Sequence, residues 1–156
     1  MKDARYATAI TCIDGRIQRP VSEWMRTHLN VQYVDTITEP GLDRLLSHGT
    51  AEEIASLRKK VQISMSAHGS GAIAVVGHHD CAGNPVSRQT HLEHIQAGVR
   101  VAASWGLPVR ILGLWVNEAW EVERLFDSAA QDPLVGRGEV GGCRWKTVLP
   151  EAGREG

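Results

Sequence analysis

Two short runs hold the residues best suited to chemistry. Cys12, Asp14 and Arg16 occupy alternate positions in TCIDGR, and His78 and Cys81 stand three apart in VVGHHDCAG, each run directly following an apolar stretch. Two thiolates and one imidazole suit a tetrahedral Zn2+, and three protein ligands leave a fourth position open, which separates catalytic zinc from structural zinc. Asp14 and Arg16 would then lie beside that open position. A carboxylate there can orient a nucleophile, and an arginine can hold the carboxylate by a bidentate pair. Taken singly the residues have plainer explanations: Cys12 as a small core residue, His78 as a hydrogen-bonded strand-end histidine, and His78-x-x-Cys81 as half of a motif. The metal reading therefore depends on the fold bringing both runs together.

The elements that must position them follow from periodicity. YATAITCID, from Tyr6, reads as a buried strand ending near Asp14, and Gly15 turns the chain. Pro20 is expected to open a helix with Val21, Trp24, Met25, His28 and Leu29 on one face. VQYVDTIT is a second strand, broken by Glu39-Pro40-Gly41, and Thr50-x-x-Glu53 is a capping box for a helix carrying Ile54, Leu57 and Val61. AIAVVG, the most apolar run, is the expected central strand, ended by His78. Asn84-Pro85 is expected to start a helix running to Trp105 with Leu92, Ile95 and Val99 inward. VRILGLWV is a fourth strand, after which Asn117 is expected to cap a last helix containing Trp120, Val122, Leu125 and Phe126.

This alternation predicts an α/β fold, a single-domain parallel sheet with helices on both faces. With strand order 2-1-3-4, strands 1 and 3 are neighbours whose following helices leave on opposite faces. Cys12 and the His78/Cys81 pair then converge at the topological switch point, where open α/β sheets bind ligands. The expected organisation is a zinc-binding α/β domain over 1–131 and an irregular, glycine-containing tail over 132–156.

Bulk properties exclude several classes. A chain of 156 residues with 42% hydrophobic content suits one domain. Seventeen basic against eighteen acidic residues leave a net charge of −1, with no surplus to attract nucleic acid or an anionic membrane. The opening run MKDARYATAI lacks the apolar block of a secretory signal, and no stretch is apolar enough to cross a bilayer. Together with three cysteines, an odd number, this predicts a cytoplasmic protein with reduced thiols.

C-x-D-x-R after the first strand and G-H-x-x-C after the third resemble the signature of the β-class carbonic anhydrases, including Gly77 before the histidine and Asp80 before the second cysteine. The resemblance extends from about Tyr6 to Val116. It implies that fold, with Cys12, His78 and Cys81 as zinc ligands and Asp14 and Arg16 as the dyad controlling the fourth position. It also implies reversible hydration of carbon dioxide to bicarbonate, and a homodimer or higher homo-oligomer. The chain departs from the family in having Glu39-Pro40-Gly41 where members often show Asn-Ala-Gly, and Ala82-Gly83 after Cys81 in place of an immediate glycine. With few residues ahead of the first strand, it is expected to lack the helical arm that many members wrap around a second subunit.

Competing readings make distinct demands. A relative acting on carbonyl sulfide or carbon disulfide would keep the ligands and narrow the cleft, whereas a noncatalytic zinc domain would close the fourth position. A cysteine phosphatase would need arginine six residues after Cys12, where Gln18 stands. A dinucleotide fold fits less well still, because Gly69-Ser70-Gly71 precedes a strand where it should follow one. His79 is expected to be a loop histidine, and His91 and His94 to share a solvated helix face. Cys143 is expected to be a surface thiol, and Trp145 an interface residue.

Overall fold

A computed structural model describes residues 4–130. The expected tail over 132–156, with Cys143 and Trp145, lies outside the described residues. Five strands form one sheet in the order β2-β1-β3-β4-β5: β1 (Tyr6–Thr11), β2 (Tyr33–Thr38), β3 (Ala72–His78), β4 (Arg110–Val116) and β5 (Val122–Asp127). The first four are parallel, in the expected order, with Tyr6 opposite Tyr33, Thr8 opposite Ile73 and Ala72 opposite Arg110. Every residue of β3 is buried, as a central strand covered on both faces requires.

Helices cover both faces. On one, Ile17, Val21 and Met25 of α1 (Gly15–Leu29) pack on Ala7, Ala9, Ala74, Val76, Leu112 and Leu114. The alanines let this helix approach closely, and each of its three fully covered apolar side chains contributes about 2 kcal/mol. On the other face lie α2 (Leu42–His48), α3 (Ala51–His68) and α4 (Arg88–Ser104). Their Leu42, Leu46, Leu57, Val61, Ile95 and Val99 meet Ile10, Ile73, Val75, Ile111 and Trp115. The Thr50 capping box forms as expected, Thr50 accepting from the Glu53 N–H and Glu53 from the Thr50 N–H. Among the described residues no helix is long and apolar enough to cross a membrane.

The last expected helix is instead a strand. Asn117 does cap the chain there, but its side chain accepts from the N–H groups of Ala119 and Glu121 and closes a turn. β5 then runs antiparallel to β4, with Val122 opposite Val116 and Asp127 opposite Leu112. The apolar spacing of Val122, Leu125 and Phe126 fits a helix, but the free edge of β4 and the pairing of buried Asp127 with the half-buried Arg110 favour the hairpin.

Two helix starts also differ from expectation. α1 begins at Gly15, ahead of Pro20, because the Asp14 carboxylate accepts from the Arg16 N–H at 2.9 Å. Pro20 thus sits inside the helix, where the Arg16 carbonyl loses its i+4 donor. α4 begins at Arg88, capped by Ser87, because Asn84 is engaged elsewhere. The seven-residue α2, which the breaker at Glu39-Pro40-Gly41 hid, starts directly after Gly41.

Candidate metal centre

β1 delivers Cys12 and β3 delivers His78 to adjacent positions at the carboxyl edge of the sheet, and the turn after β3 brings back Cys81. One ligand atom from each lies within 4.8 Å of the other two, and all three residues are buried. The two sulfurs are 3.8 Å apart and both thiols are free. A tetrahedral zinc with bonds of about 2.3 Å to each sulfur would set them about 3.8 Å apart. His78 Nδ1 lies 2.7 Å from the His79 carbonyl oxygen. That carbonyl can only accept, so Nδ1 carries the proton and Nε2 presents its lone pair. Nε2 is buried with no hydrogen-bond partner among the described residues. A buried lone pair beside two sulfurs at this spacing fits a metal ion of zinc type.

The electrostatics prepare the sulfurs for a cation. The Cys81 thiol beside it holds Cys12 down to about 4, against the upward push of burial, with the His78 ring and the Gly41 N–H acting in the same direction. Cys81 is pushed up in return, by Cys12 first and by burial second. A bound dication would favour the thiolate form of both and displace their protons.

Asp14 and Arg16 form a second layer at the rim. Arg16 donates through Nη2 to Asp14 Oδ2 at 2.7 Å and through Nε to both oxygens at 3.1 and 3.2 Å. This guanidinium holds the Asp14 carboxyl down to about 2. Arg16 is itself held from the far side, by Asp80 Oδ2 and the Asp80 carbonyl, each at 3.0 Å, and by the Trp120 ring, 4.6 Å away. Gln18, where a phosphatase would need arginine, donates to the carbonyls of Cys12 and Asp14 at 2.8 Å and braces the turn between them.

Several residues around the cluster were not singled out for a role from sequence. The Gly41 N–H points to Cys12 Sγ at 3.4 Å. Gly41 has φ +59°, and a Cβ there would lie 2.5 Å from the Gly83 carbonyl oxygen, so this crossing of the two loops requires glycine. His91, expected on a solvated face, is buried, with Nδ1 2.5 Å from Asp43 Oδ2. Asn84 joins this pair and reaches His94. The one visible signal was Asp43 itself, a charged residue beside Leu42 and one helical turn before Leu46 on the buried stripe. His79 is a loop histidine, as expected, partly exposed and 3.9 Å from Glu118.

Comparison with known proteins follows the same lines. A family model described as "Putative carbonic anhydrase" matches residues 2–126. Among solved structures, the chain is similar to one of two tetrameric β-carbonic anhydrases from the filamentous ascomycete Sordaria macrospora. The TM-score is 0.50 at 13% identity, over 80% of this chain and 82% of that one. It also matches the β-carbonic anhydrase CafA of Aspergillus fumigatus, with a TM-score of 0.45 at 13% identity, over 80% of this chain and 77% of that one. No curated protein matches the chain in sequence. The likeness to the Sordaria enzyme supports the fold, and the family model spans both chemistry-bearing runs and nearly every described element: the chain belongs to the carbonic anhydrase family that this model defines.

Proposed function

We propose that the chain catalyses zinc-dependent, reversible hydration of carbon dioxide to bicarbonate, with Cys12, His78 and Cys81 holding Zn2+ and Asp14 and Arg16 controlling the fourth position. The observation that carries this reading is the unpartnered Nε2 of His78 facing two sulfurs 3.8 Å apart, beside an acid already committed to an arginine. When bound, zinc supplies the Lewis acidity that makes hydroxide available near neutral pH for attack on the carbon of carbon dioxide.

The chain's own groups do the rest. Asp14, ionised throughout the physiological range, accepts a hydrogen bond at its carboxylate from a nucleophile's O–H and so aims the nucleophile's lone pair. Arg16 keeps that carboxylate at the rim, and Asp80 and Trp120 keep Arg16 there. Released from Arg16, Asp14 would be free to take the fourth position itself and shut the site. Its pairing with Arg16 therefore supports the catalytic reading over a noncatalytic domain with that position closed. Two thiolates neutralise the dication, so activity should rise later with pH than at a centre of three neutral histidines, above about pH 7.5.

The proposal extends to assembly and location. The Sordaria relative is described as tetrameric, and Ile13 and Val86, flanking the candidate ligand segments, are 58% and 38% exposed, which supports a homodimer or larger oligomer. Two buried free thiols support a reducing, cytoplasmic setting. The zinc-binding domain is assigned to 1–131, with 132–156 as an appended tail. Stopped-flow carbon dioxide hydration, with zinc content measured on the same samples, tests the activity. The expected result is a rate that follows zinc and is lost in Cys81→Ala; a zinc-replete protein no faster than buffer would refute it.

A further inference from the structure

Asn84 lies three residues beyond Cys81 and is 1% exposed. Its backbone N–H donates to the Cys81 carbonyl at 3.3 Å, closing the turn that carries the cysteine. Its side-chain Nδ2 lies 3.1 Å from Asp43 Oδ1 and 2.9 Å from His94 Nδ1. An amide nitrogen can only donate, so its two N–H groups point at Asp43 and His94. The amide oxygen has no partner among the described residues. That unpaired oxygen weighs against a space-filling role, which an apolar residue would serve without the cost.

The acceptors are themselves anchored. Asp43 Oδ2 accepts a hydrogen bond from Nδ1 of His91, a buried ring packed 5.2 Å from Trp115. The same oxygen lies where a Cβ on Gly77 would come within 3.1 Å, so Asp43 sits against the residue that precedes His78. Two residues earlier on the same segment, the Gly41 N–H meets Cys12 Sγ and the Gly41 backbone crosses Gly83. One short stretch, 41–43, thus touches Cys12 itself, the residue before His78 and the turn of Cys81.

We infer that Asn84 is a positioning residue for the metal centre: clamped by Asp43 on α2 and His94 on α4, it holds the Cys81 turn in ligating register and thereby sets how tightly the metal is retained. The inference rests on the metal-centre reading of Cys12, His78 and Cys81. Without the clamp the turn keeps its ligand but holds it loosely, because outer partners of a ligand typically govern about 10–100-fold in metal affinity.

The test uses the full chain loaded with Co2+, whose thiolate absorption reports both sulfurs, and follows cobalt loss to excess chelator. Asn84→Ala and His94→Leu should keep the absorption band and release cobalt about 10-fold faster or more. His94→Gln, which restores an acceptor to the Asn84 amide, should return release close to wild type. Melting of the metal-free proteins is measured alongside, since a role confined to general folding would lower those midpoints and leave release rates alike. Should Asn84→Ala fail to fold, the pair of variants at the half-exposed His94 decides the matter. Equal release from wild type, His94→Leu and His94→Gln would overturn the inference. A wild type without Cys81-dependent cobalt absorption would overturn the metal reading beneath it.

Discussion

Two polar networks flank the Cys12–His78–Cys81 cluster, built from similar groups in opposite surroundings. The rim network joins Asp14, Arg16, Asp80 and Trp120, and its central guanidinium is 46% exposed. The inner network joins Asp43, Asn84, His91 and His94, and its central Asp43–His91 pair is 2% exposed on both sides. Water can replace any bond broken at the rim, so that network can part and re-form at little cost. No solvent reaches the inner pair, so a partner removed there leaves a charge or a polar atom stranded. The Asp14–Arg16 pair thus lies where rearrangement is cheap, and the Asp43–His91 pair where rearrangement is costly.

That contrast predicts the ranking of four effects. The largest should come from Asp43→Ala, which strands the buried His91. The expected loss is about 3–5 kcal/mol, read from urea unfolding, and a loss below about 1 kcal/mol would put the pair in the solvent-tolerant class with the rim. Next is Gly41→Ala, where a left-handed backbone and a clash with the Gly83 carbonyl act together. It should cost about 2–4 kcal/mol in the same assay and weaken zinc retention, and a wild-type midpoint would show that the two loops can part.

Arg16→Ala should change the melting temperature little. It should keep its zinc and yet abolish carbon dioxide hydration across roughly pH 6–9, the range around the expected pKa of zinc-bound water. Asp14→Ala should also keep zinc but retain a slower rate, since nothing then shuts the site. Hydration by Arg16→Ala at the wild-type rate would remove the dyad from the mechanism.

The smallest effect is an acid-stability difference at Asp14. Its carboxyl is lowered from 3.8 to about 2 by Arg16, so the folded state favours the ionised form. That contribution is fully present above about pH 4 and is lost as pH falls towards 2. Asp14→Asn should therefore lie below wild type at neutral pH and converge with it over that acid range. A constant gap between the two unfolding curves down to pH 2 would contradict the linkage.

Much of this architecture was legible because it rests on patterns with one physical reading. The short, β-branched apolar runs at Tyr6, Ala72 and Arg110 read as covered strands, and their order put two distant runs at one switch point. The rim pair was legible because Asp14 and Arg16 are near neighbours in sequence. What escaped depends on long-range partners. β5 was hidden because Val122, Leu125 and Phe126 fit a helix until the edge of β4 is in place. Asp43 and His91 stand 48 positions apart, and only the packing of α2 against α4 makes them a buried pair. Pro20 misplaced the start of α1 because the Asp14 cap outweighs one lost helical bond.

The most direct test of the metal centre is zinc K-edge X-ray absorption on the purified, zinc-loaded chain, compared with Cys81→Ala. The account predicts two sulfurs at about 2.3 Å, one imidazole nitrogen at about 2.0 Å and a light-atom fourth neighbour, with one sulfur lost in the variant. A first shell of oxygen and nitrogen alone, or a spectrum that Cys81→Ala leaves unchanged, would contradict it.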